Sequence, residues 1–330
     1  MTSYQKKLYL LVNFGGPREL AEIPSFLEAL LTDKDVIRTK LPQVFHNLLF
    51  KRVAKKRAVK ISHDYALIGG RSPIYEDTES IAQALREKLQ EELITFHRYI
   101  PATHKQSLEK ISRAQADTII VFPMFPQFTY ATTGSIARFF CKKLPPEVLH
   151  KMRWVKSYPT HPAYIALLSR TIRESLLEKK LKEEEVVLLF SAHGLPKTFI
   201  ESGDLYQSEV ESSYQKVMEA FPKALGRLSY QSKFGPGEWL RPYTDEVCQD
   251  IANWNEGRKN VVFVPISFTS DHIETLFEVE SLYMPLIAEA GCNPYRVPAF
   301  NRRPDWLEAI TQILIDTTPT SNSMLIRQKI

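Results

Sequence analysis

The sequence has little cysteine and lacks any long apolar run. Its 330 residues include three cysteines, Cys141, Cys248 and Cys292, which are far apart and form no C-x-x-C motif. That spacing argues against a disulfide framework or a cysteine-based cluster site and suits a reducing compartment. No apolar stretch approaches the roughly 18 residues that a membrane-spanning helix requires, and the first residues lack a signal-peptide pattern. We therefore expect a protein that is not integral to a membrane.

One segment lacks acidic residues. Residues 38–60 carry eight lysines and arginines and no Asp or Glu, so the rest of the chain has a net charge of −3 although the whole chain has +5. A local basic patch suits an acidic small molecule or an anionic surface. In nucleic-acid-binding segments, aromatic residues often alternate with the cations. That pattern is weak here, so we expect no nucleic-acid partner.

Apolar residues enter the same segment at helical spacing, namely Leu41, Val44, Phe45, Leu48 and Leu49. Two interpretations stay open. The helix could cover the core, or it could form an exposed apolar lip, backed by basic residues, that rests on an anionic membrane surface.

Short apolar strands alternate with amphipathic helical segments along the chain, which predicts an α/β fold with parallel sheets. The two halves resemble each other: each opens with a strand and a Gly/Pro turn and later has a strand that ends at a proline. We predict two similar Rossmann-like domains, each a parallel sheet flanked by helices, with an active-site cleft between them. Their predicted ranges are 1–155 and 156–300, followed by a helix and a loose polar tail over 301–330, whose packing against the first domain is left open.

The stretch V-L-L-F-S-A-H-G-L-P, residues 187–196, reads as a buried strand that ends in a loop. His193 therefore lies just beyond the carboxyl end of a strand, where open α/β sheets bind ligands. Small neighbours, Ala192 and Gly194, leave its imidazole accessible. A histidine there can accept a proton or bind a metal ion, although a purely structural histidine is the commoner case.

A second apolar strand, within residues 260–268, is followed by T-S-D-H-I-E and a predicted helix from Asp271 to about Glu289. Asp271 and Glu274 have the spacing of a capping box, which is the structural interpretation. Glu278 follows Glu274 by four residues, and two carboxylates on one helical face repel each other. The functional interpretation is that they move a cation or a proton along the helix. We expect His193 and Glu274 to face one another across a cleft, each from its own half of the molecule.

Several motifs together resemble the ferrochelatase family, and they occur in family order over residues 12–275. They are S-A-H-G-L-P, F-T-S-D-H-I-E-T-L, V-N-F-G-G-P, I-G-G-R-S-P-I, H-R-Y, T-T-G-S and Y-Q-S-K-F-G-P-G-E-W-L. The resemblance implies a lyase that inserts Fe²⁺ into protoporphyrin IX, the last step of heme biosynthesis, in a cytoplasmic protein. Peripheral contact with the inner membrane stays open for the apolar lip.

The resemblance also implies roles for individual residues. His193 and Glu274 are expected at the metal, on either side of the macrocycle, with Asp271 and His272 completing the catalytic set and Glu278 extending an acidic path. The expected porphyrin-binding residues are Phe14, Arg57, Ser72, Arg98, Tyr99, Trp239 and Phe268. Neutral His193 would accept a pyrrole proton, and aromatic walls would hold the ring buckled, a strain of about 1–5 kcal/mol.

The sequence departs from the ferrochelatase pattern at positions that affect the expected cofactor and the metal site. Animal members carry a cysteine-rich extension with an iron–sulfur cluster, whereas here Tyr130 occupies the upstream cluster position and the tail has no cysteine, so no cluster and no other tightly bound cofactor is expected. Gly194 replaces a common serine and removes a hydroxyl near the metal. The alternatives are a coproporphyrin III ferrochelatase, a chelatase for another divalent metal, a non-catalytic tetrapyrrole or metal carrier, and a nucleotide-binding oxidoreductase, which the absence of G-x-G-x-x-G disfavours.

Overall fold

The computed structural model describes residues 6–326. The chain divides into two compact units, Met1–Ser157 with Leu314–Ile330, and Tyr158–Ile313. The predicted boundary after residue 155 lies two residues before this division. The final segment is shared, because its helix belongs mainly to the second unit and its last residues to the first.

The strands are β1 (Lys7–Asn13), β2 (Glu92–His97), β3 (Thr118–Pro123), β4 (Met152–Trp154), β5 (Val186–His193), β6 (Leu225–Gln231), β7 (Asn260–Val264), β8 (Asn293–Arg296) and β9 (Thr320–Ser321). The α-helices are α1 (Ile23–Leu31), α2 (Gln43–Leu67), α3 (Ile74–Leu89), α4 (Pro101–Arg113), α5 (Ser135–Lys143), α6 (Pro146–Lys151), α7 (Pro162–Glu178), α8 (Lys197–Glu201), α9 (Tyr206–Met218), α10 (Thr244–Gln249), α11 (Ile251–Trp254), α12 (Met284–Glu289) and α13 (Pro304–Asp316). Two π-helices, Tyr130–Gly134 and Glu274–Tyr283, and three 3₁₀ turns, Leu20–Glu22, Glu183–Glu185 and Asn322–Leu325, complete the described elements.

The first unit contains a five-stranded sheet in the order β2-β1-β3-β4-β9. Its first four strands are parallel, and β9 pairs antiparallel with β4 through Trp154 and Thr320. The predicted loose tail is therefore wrong for residues 320–325. Leu325 is fully buried in the core of this unit, and the apolar area that it removes from water stabilises the tail there.

The second unit contains a four-stranded parallel sheet in the order β6-β5-β7-β8. Every residue of β5 except His193 is buried, as its apolar run predicts for a central strand covered on both faces. The predicted strand over 261–268 ends early, at Val264, because Pro265 has no N–H for the ladder. The α/β fold with two mostly parallel sheets is confirmed.

Helix α3 starts at Ile74, directly after Pro73. Within its first turns, Thr78 donates its hydroxyl to the carbonyl of Ile74 and accepts a hydrogen bond of 2.9 Å from Asn13. The Asn13 side chain at the end of β1 is thereby held by α3.

Helix α2 carries the apolar residues of the basic segment on its exposed surface. Val44 is 75% exposed and Phe45 is 61% exposed, and Leu48 and Leu49 are exposed as well. The interpretation in which these residues cover the core is therefore wrong, and the exposed lip remains. No helix among residues 6–326 has the length and apolar character needed to cross a membrane.

Candidate active site

His193 lies at the carboxyl end of β5, and its side chain is 36% exposed. Its Nδ1 lies 2.6 Å from the carbonyl oxygen of Gly194. Because a carbonyl oxygen only accepts hydrogen bonds, Nδ1 carries the proton in the neutral ring. Nε2 then has a lone pair that can accept a proton.

The nearest charged partner of this nitrogen is Glu274. Nε2 of His193 lies 3.7 Å from Oε1 of Glu274, and both residues belong to the second unit. The expectation that the two side chains come from different halves and face each other across a macrocycle is therefore wrong. A separation of 3.7 Å has no room for a flat ring between them, so the two side chains form one pair.

Glu274 begins a π-helix rather than the predicted α-helix. This π-helix extends over Glu274–Tyr283, and the Met284 N–H bonds the Val279 carbonyl, five residues back. The sequence period predicts a helix here but not the widened turn, which is often found at functional sites. The capping-box interpretation is also wrong, because the Asp271 N–H donates to Asn301 at 2.7 Å instead of to the Glu274 side chain.

Asp271 holds the turn that precedes the π-helix through hydrogen bonds of its carboxylate. Its carboxylate accepts hydrogen bonds from Arg296 at 2.7 Å, from Thr275 at 2.9 Å and from the Asn301 amide at 2.9 Å. A buried carboxylate with these partners stabilises the turn before the π-helix. These contacts give Asp271 a positioning role, and its expected catalytic role stays a prediction.

His272 is buried beside the pair. Its Nε2 lies 3.9 Å from Oε2 of Glu274, its Nδ1 lies 3.1 Å from the Ser270 carbonyl, and its ring packs edge-on against Phe268. Burial alone would lower the pKa of His272, but its contacts with Glu274 and the Ser270 carbonyl raise the pKa above its ordinary value. A positive charge on the His272 imidazole, next to Glu274, is therefore favoured.

The two glutamates of the π-helix have opposite electrostatic environments. Burial disfavours ionised Glu274, but His193 and His272 outweigh it and lower its pKa. Burial, reinforced by the negative charge of Glu274, raises the pKa of Glu278 to about 7. Glu274 therefore stays ionised at neutral pH, whereas Glu278 can take up and release a proton there.

Sequence reasoning missed two residues of this site, Gln231 and Ser232 at the end of β6. The Gln231 amide donates to the Glu274 carbonyl at 2.9 Å, and the Ser232 hydroxyl donates to the Glu278 carboxylate at 2.5 Å. Both lie in the motif Y-Q-S-K-F-G-P-G-E-W-L, in which the resemblance predicts a role for Trp239 alone. The available signal was the strand end itself, since β6 neighbours β5 and parallel strands present their carboxyl ends at the same edge.

The remaining predicted residue of the second unit is Trp239. It is buried, its backbone forms a bridge with Pro196, and its ring lies beside Gly194. A Cβ at position 194 would lie 3.4 Å from its ring and 2.8 Å from the Gln231 carbonyl oxygen. Trp239 thus packs against the loop that carries His193, and glycine at 194 permits that packing.

In the first unit, Phe14 follows β1 and is half-buried. The Tyr99 ring packs edge-on against it at a centroid distance of 4.5 Å, and the Tyr99 N–H donates to the Phe14 carbonyl. Tyr99 itself is 0% exposed, so the expectation that it lines a pocket is wrong. Its role is to support Phe14.

Arg98 is committed to an internal network. Its guanidinium lies 2.6 Å from Asp33, which also accepts hydrogen bonds from Tyr99 and Ser135, and it stacks on Phe139. Both members of this ion pair are nearly buried. Arg98 is thus paired with Asp33 inside the protein, and its predicted contact with porphyrin stays a prediction.

Two predicted porphyrin-binding residues of the first unit have different settings. Arg57 lies half-buried on α2. The Ser72 side chain is buried against Gly16, where an added Cβ would lie 2.5 Å from it. Their predicted contacts with porphyrin stay predictions.

The comparisons with known proteins decide the family. The ferrochelatase family model matches residues 7–318. The chain belongs to the ferrochelatase family. It is 43% identical over 307 residues to the ferrochelatase of Chlamydia muridarum (strain MoPn / Nigg), covering 93% of this chain and 94% of the relative. It is 42% identical over 319 residues to the ferrochelatase of Chlamydia caviae, covering 97% and 98%.

Solved structures agree on the fold of this ferrochelatase-family enzyme. SirB from Bacillus subtilis with Fe3+ has a TM-score of 0.53 at 12% identity and covers 98% of this chain and 100% of its own. CbiX, the terminal enzyme for biosynthesis of siroheme in denitrifying bacteria, has a TM-score of 0.51 at 13% identity, with 94% and 98% covered. The enzyme is a lyase whose family inserts a metal ion into a porphyrin.

The ferrochelatase family takes ferrous iron as a substrate. Across residues 6–326, no group of three or more His, Cys, Asp and Glu side chains is arranged to hold a metal ion. His193 and Glu274 supply one nitrogen and one carboxylate, which accept several divalent metals. Such a pair can bind an ion in passing and release it to another ligand.

Proposed function

We propose that this enzyme inserts Fe²⁺ into protoporphyrin IX, releases two protons and completes heme biosynthesis. The observation that carries the proposal is the 3.7 Å pairing of His193 Nε2 with Glu274, with Nδ1 held by the Gly194 carbonyl. A metal enters a porphyrin only when both pyrrole N–H protons leave. The site therefore needs a base with a lone pair that can accept a proton and a carboxylate that stabilises the base once it is charged.

His193 meets the first requirement and Glu274 the second. Nε2 accepts one pyrrole proton, and the ionised Glu274 stabilises the imidazolium that results. Glu274 relays the second pyrrole proton to Glu278, whose pKa is about 7 and which passes the proton to solvent. His193, whose side chain is 36% exposed, returns its own proton to solvent. Proton transfer by a positioned group contributes about 10²–10⁴-fold to a rate.

The choice of protoporphyrin rests on the resemblance of the turn Asn13-Phe14-Gly15-Gly16-Pro17 to protoporphyrin enzymes. The experiment is anaerobic insertion of Fe²⁺ into protoporphyrin IX and coproporphyrin III side by side, followed by absorption spectroscopy. A higher kcat/KM for protoporphyrin supports the proposal, whereas a higher value for coproporphyrin assigns the alternative substrate. Binding of both without insertion would identify a carrier, and faster insertion of Co²⁺ or Ni²⁺ would identify another metal chelatase.

We also propose that α2 makes peripheral contact with an anionic membrane surface. What supports this is the exposure of Val44, Phe45, Leu48 and Leu49 within a segment that carries only basic charge. Apolar side chains beside cations favour the boundary between lipid headgroups and acyl chains.

A further inference from the structure

Gln231 forms hydrogen bonds that lead to both members of the candidate proton-transfer pair, His193 and Glu274. It is the last residue of β6, it is 1% exposed, and its partner in the ladder with β5 is His193. Its backbone and its side chain make separate hydrogen bonds, one set toward the His193 loop and the other toward the π-helix.

The backbone holds the loop of His193. The Gly194 N–H donates to the Gln231 carbonyl at 2.8 Å, and the Gly194 carbonyl in turn accepts the hydrogen bond from His193 Nδ1. A Cβ at 194 would lie 2.8 Å from the same Gln231 oxygen. The loop is therefore fitted closely to this carbonyl, and the imidazole follows the position of the loop.

The side chain holds the π-helix. The Ser191 hydroxyl donates to Oε1 of Gln231, which assigns the amide orientation and directs the NH₂ group toward the helix. That NH₂ lies 2.9 Å from the Glu274 carbonyl oxygen and 3.5 Å from Oε2 of Glu278. A buried amide with both ends occupied fixes the first residue of the helix relative to the sheet.

We propose that Gln231 is a positioning residue that sets the separation between His193 and Glu274. The inference rests on the proposed function of that pair. Because one residue bonds both the loop behind the imidazole and the backbone of the glutamate, its loss lets the two side chains move independently. A misplacement of about 1 Å in a reacting pair can cost about 10²-fold in rate.

The test is Gln231→Met, which keeps a side chain of similar length but removes the amide group and its hydrogen bonds. Ser229→Ala is the matched control, since it also removes a buried polar group from β6. The Ser229 hydroxyl forms hydrogen bonds with Thr244 and with the Phe190 carbonyl. We expect Gln231→Met to lower kcat for Fe²⁺ insertion about 10- to 100-fold, with KM for porphyrin within about twofold of wild type. A kcat within threefold of the control, in a folded protein, would overturn the proposal.

Combining Gln231→Met with Glu274→Gln separates positioning from general damage. If Gln231 acts through Glu274, Gln231→Met adds little to the loss that Glu274→Gln causes by itself, whereas independent effects would multiply. Hydrogen–deuterium exchange over residues 274–283 gives a readout that needs no chelatase activity. Faster exchange in Gln231→Met than in Ser229→Ala supports the positioning role even if the wild-type enzyme inserts no iron, and unchanged exchange contradicts it.

Discussion

His193 and Glu274 form a pair within one unit, with Nε2 of the imidazole 3.7 Å from the carboxylate. The distance is longer than a direct hydrogen bond, and it places the carboxylate where it can stabilise a positive charge that forms on the ring during the reaction. The pair is therefore suited to gaining a proton during the reaction, since the negative charge is in place before the positive charge appears.

Replacement of His193 by alanine removes the proposed proton acceptor. We expect kcat for Fe²⁺ insertion to fall about 10²–10⁴-fold. Porphyrin binding, measured by fluorescence quenching, should stay unchanged. The control is His63→Ala, because the His63 side chain is 76% exposed on α2. Full activity in His193→Ala with normal porphyrin binding would refute the assignment.

Glu278 makes stability depend on pH. The folded protein keeps this proton up to about pH 7, whereas the unfolded chain releases it near pH 4.3. Stability therefore falls as the pH rises between those values, and the cost of the charge is complete above pH 7. Glu278→Gln removes that cost.

We expect Glu278→Gln to be more stable than wild type at pH 8, by about 1–3 kcal/mol, and equal to it at pH 4. Urea unfolding across this range measures the difference. Glu289→Gln is the matched control, because Glu289 is exposed on α12. A constant difference between pH 4 and 8 would contradict the burial of Glu278 as its cause.

The Asp33–Arg98 pair carries a prediction about stability rather than substrate binding. Removing one partner of a nearly buried pair costs about 3–5 kcal/mol, because the other charge stays buried without compensation. Asp33→Ala should lower the free energy of unfolding by that amount. Glu246→Ala breaks a pair with Arg241 whose members are both more than half exposed, and it should cost under about 1 kcal/mol. Similar small losses in both variants would mean that Arg98 is not held by Asp33.

The sequence predicts the sheets better than it predicts the site. Buried strands such as β5 are fixed by local apolar runs, so their order of occurrence and the place of His193 at a strand end follow from pattern alone. The burial of Tyr99 does not, because its partners Phe14, Asp33 and Ser135 come from distant parts of the chain. An aromatic residue beside an arginine looks the same in sequence whether it lines a pocket or supports one.

The π-helix is the clearest case of tertiary structure deciding a local conformation. Residues 274–283 have the apolar and charged spacing of an ordinary helix, and the widened turn coincides with contacts from Gln231, Ser232 and Arg296. The tail over 320–325 is similar, since its polar sequence suggests a loose end but Leu325 fills a space in the first core. Such contacts have no local signature.

Gly194 tests how closely the His193 loop is fitted. A Cβ there would lie 2.8 Å from a backbone oxygen of Gln231, so the loop or the strand must shift. We expect Gly194→Ser and Gly194→Ala to lose similar stability, about 1–3 kcal/mol, since the shared Cβ causes the strain. Thermal unfolding and kcat measure it. Improved activity in Gly194→Ser alone would show instead that the missing hydroxyl matters more than the space.

The exposed apolar residues of α2 predict binding to anionic vesicles. Phe45→Glu combined with Leu48→Glu replaces two exposed apolar side chains by charges of the wrong sign for such a surface. We expect wild type to bind vesicles that contain phosphatidylglycerol, more weakly at high salt, and the double variant to bind them at least tenfold less in flotation assays. Leu177→Glu is the control, because Leu177 is 79% exposed on α7 and lies outside the basic segment of residues 38–60. Equal binding by wild type and the double variant, or equal binding to neutral phosphatidylcholine vesicles, would assign the exposed surface of α2 to something other than an anionic membrane.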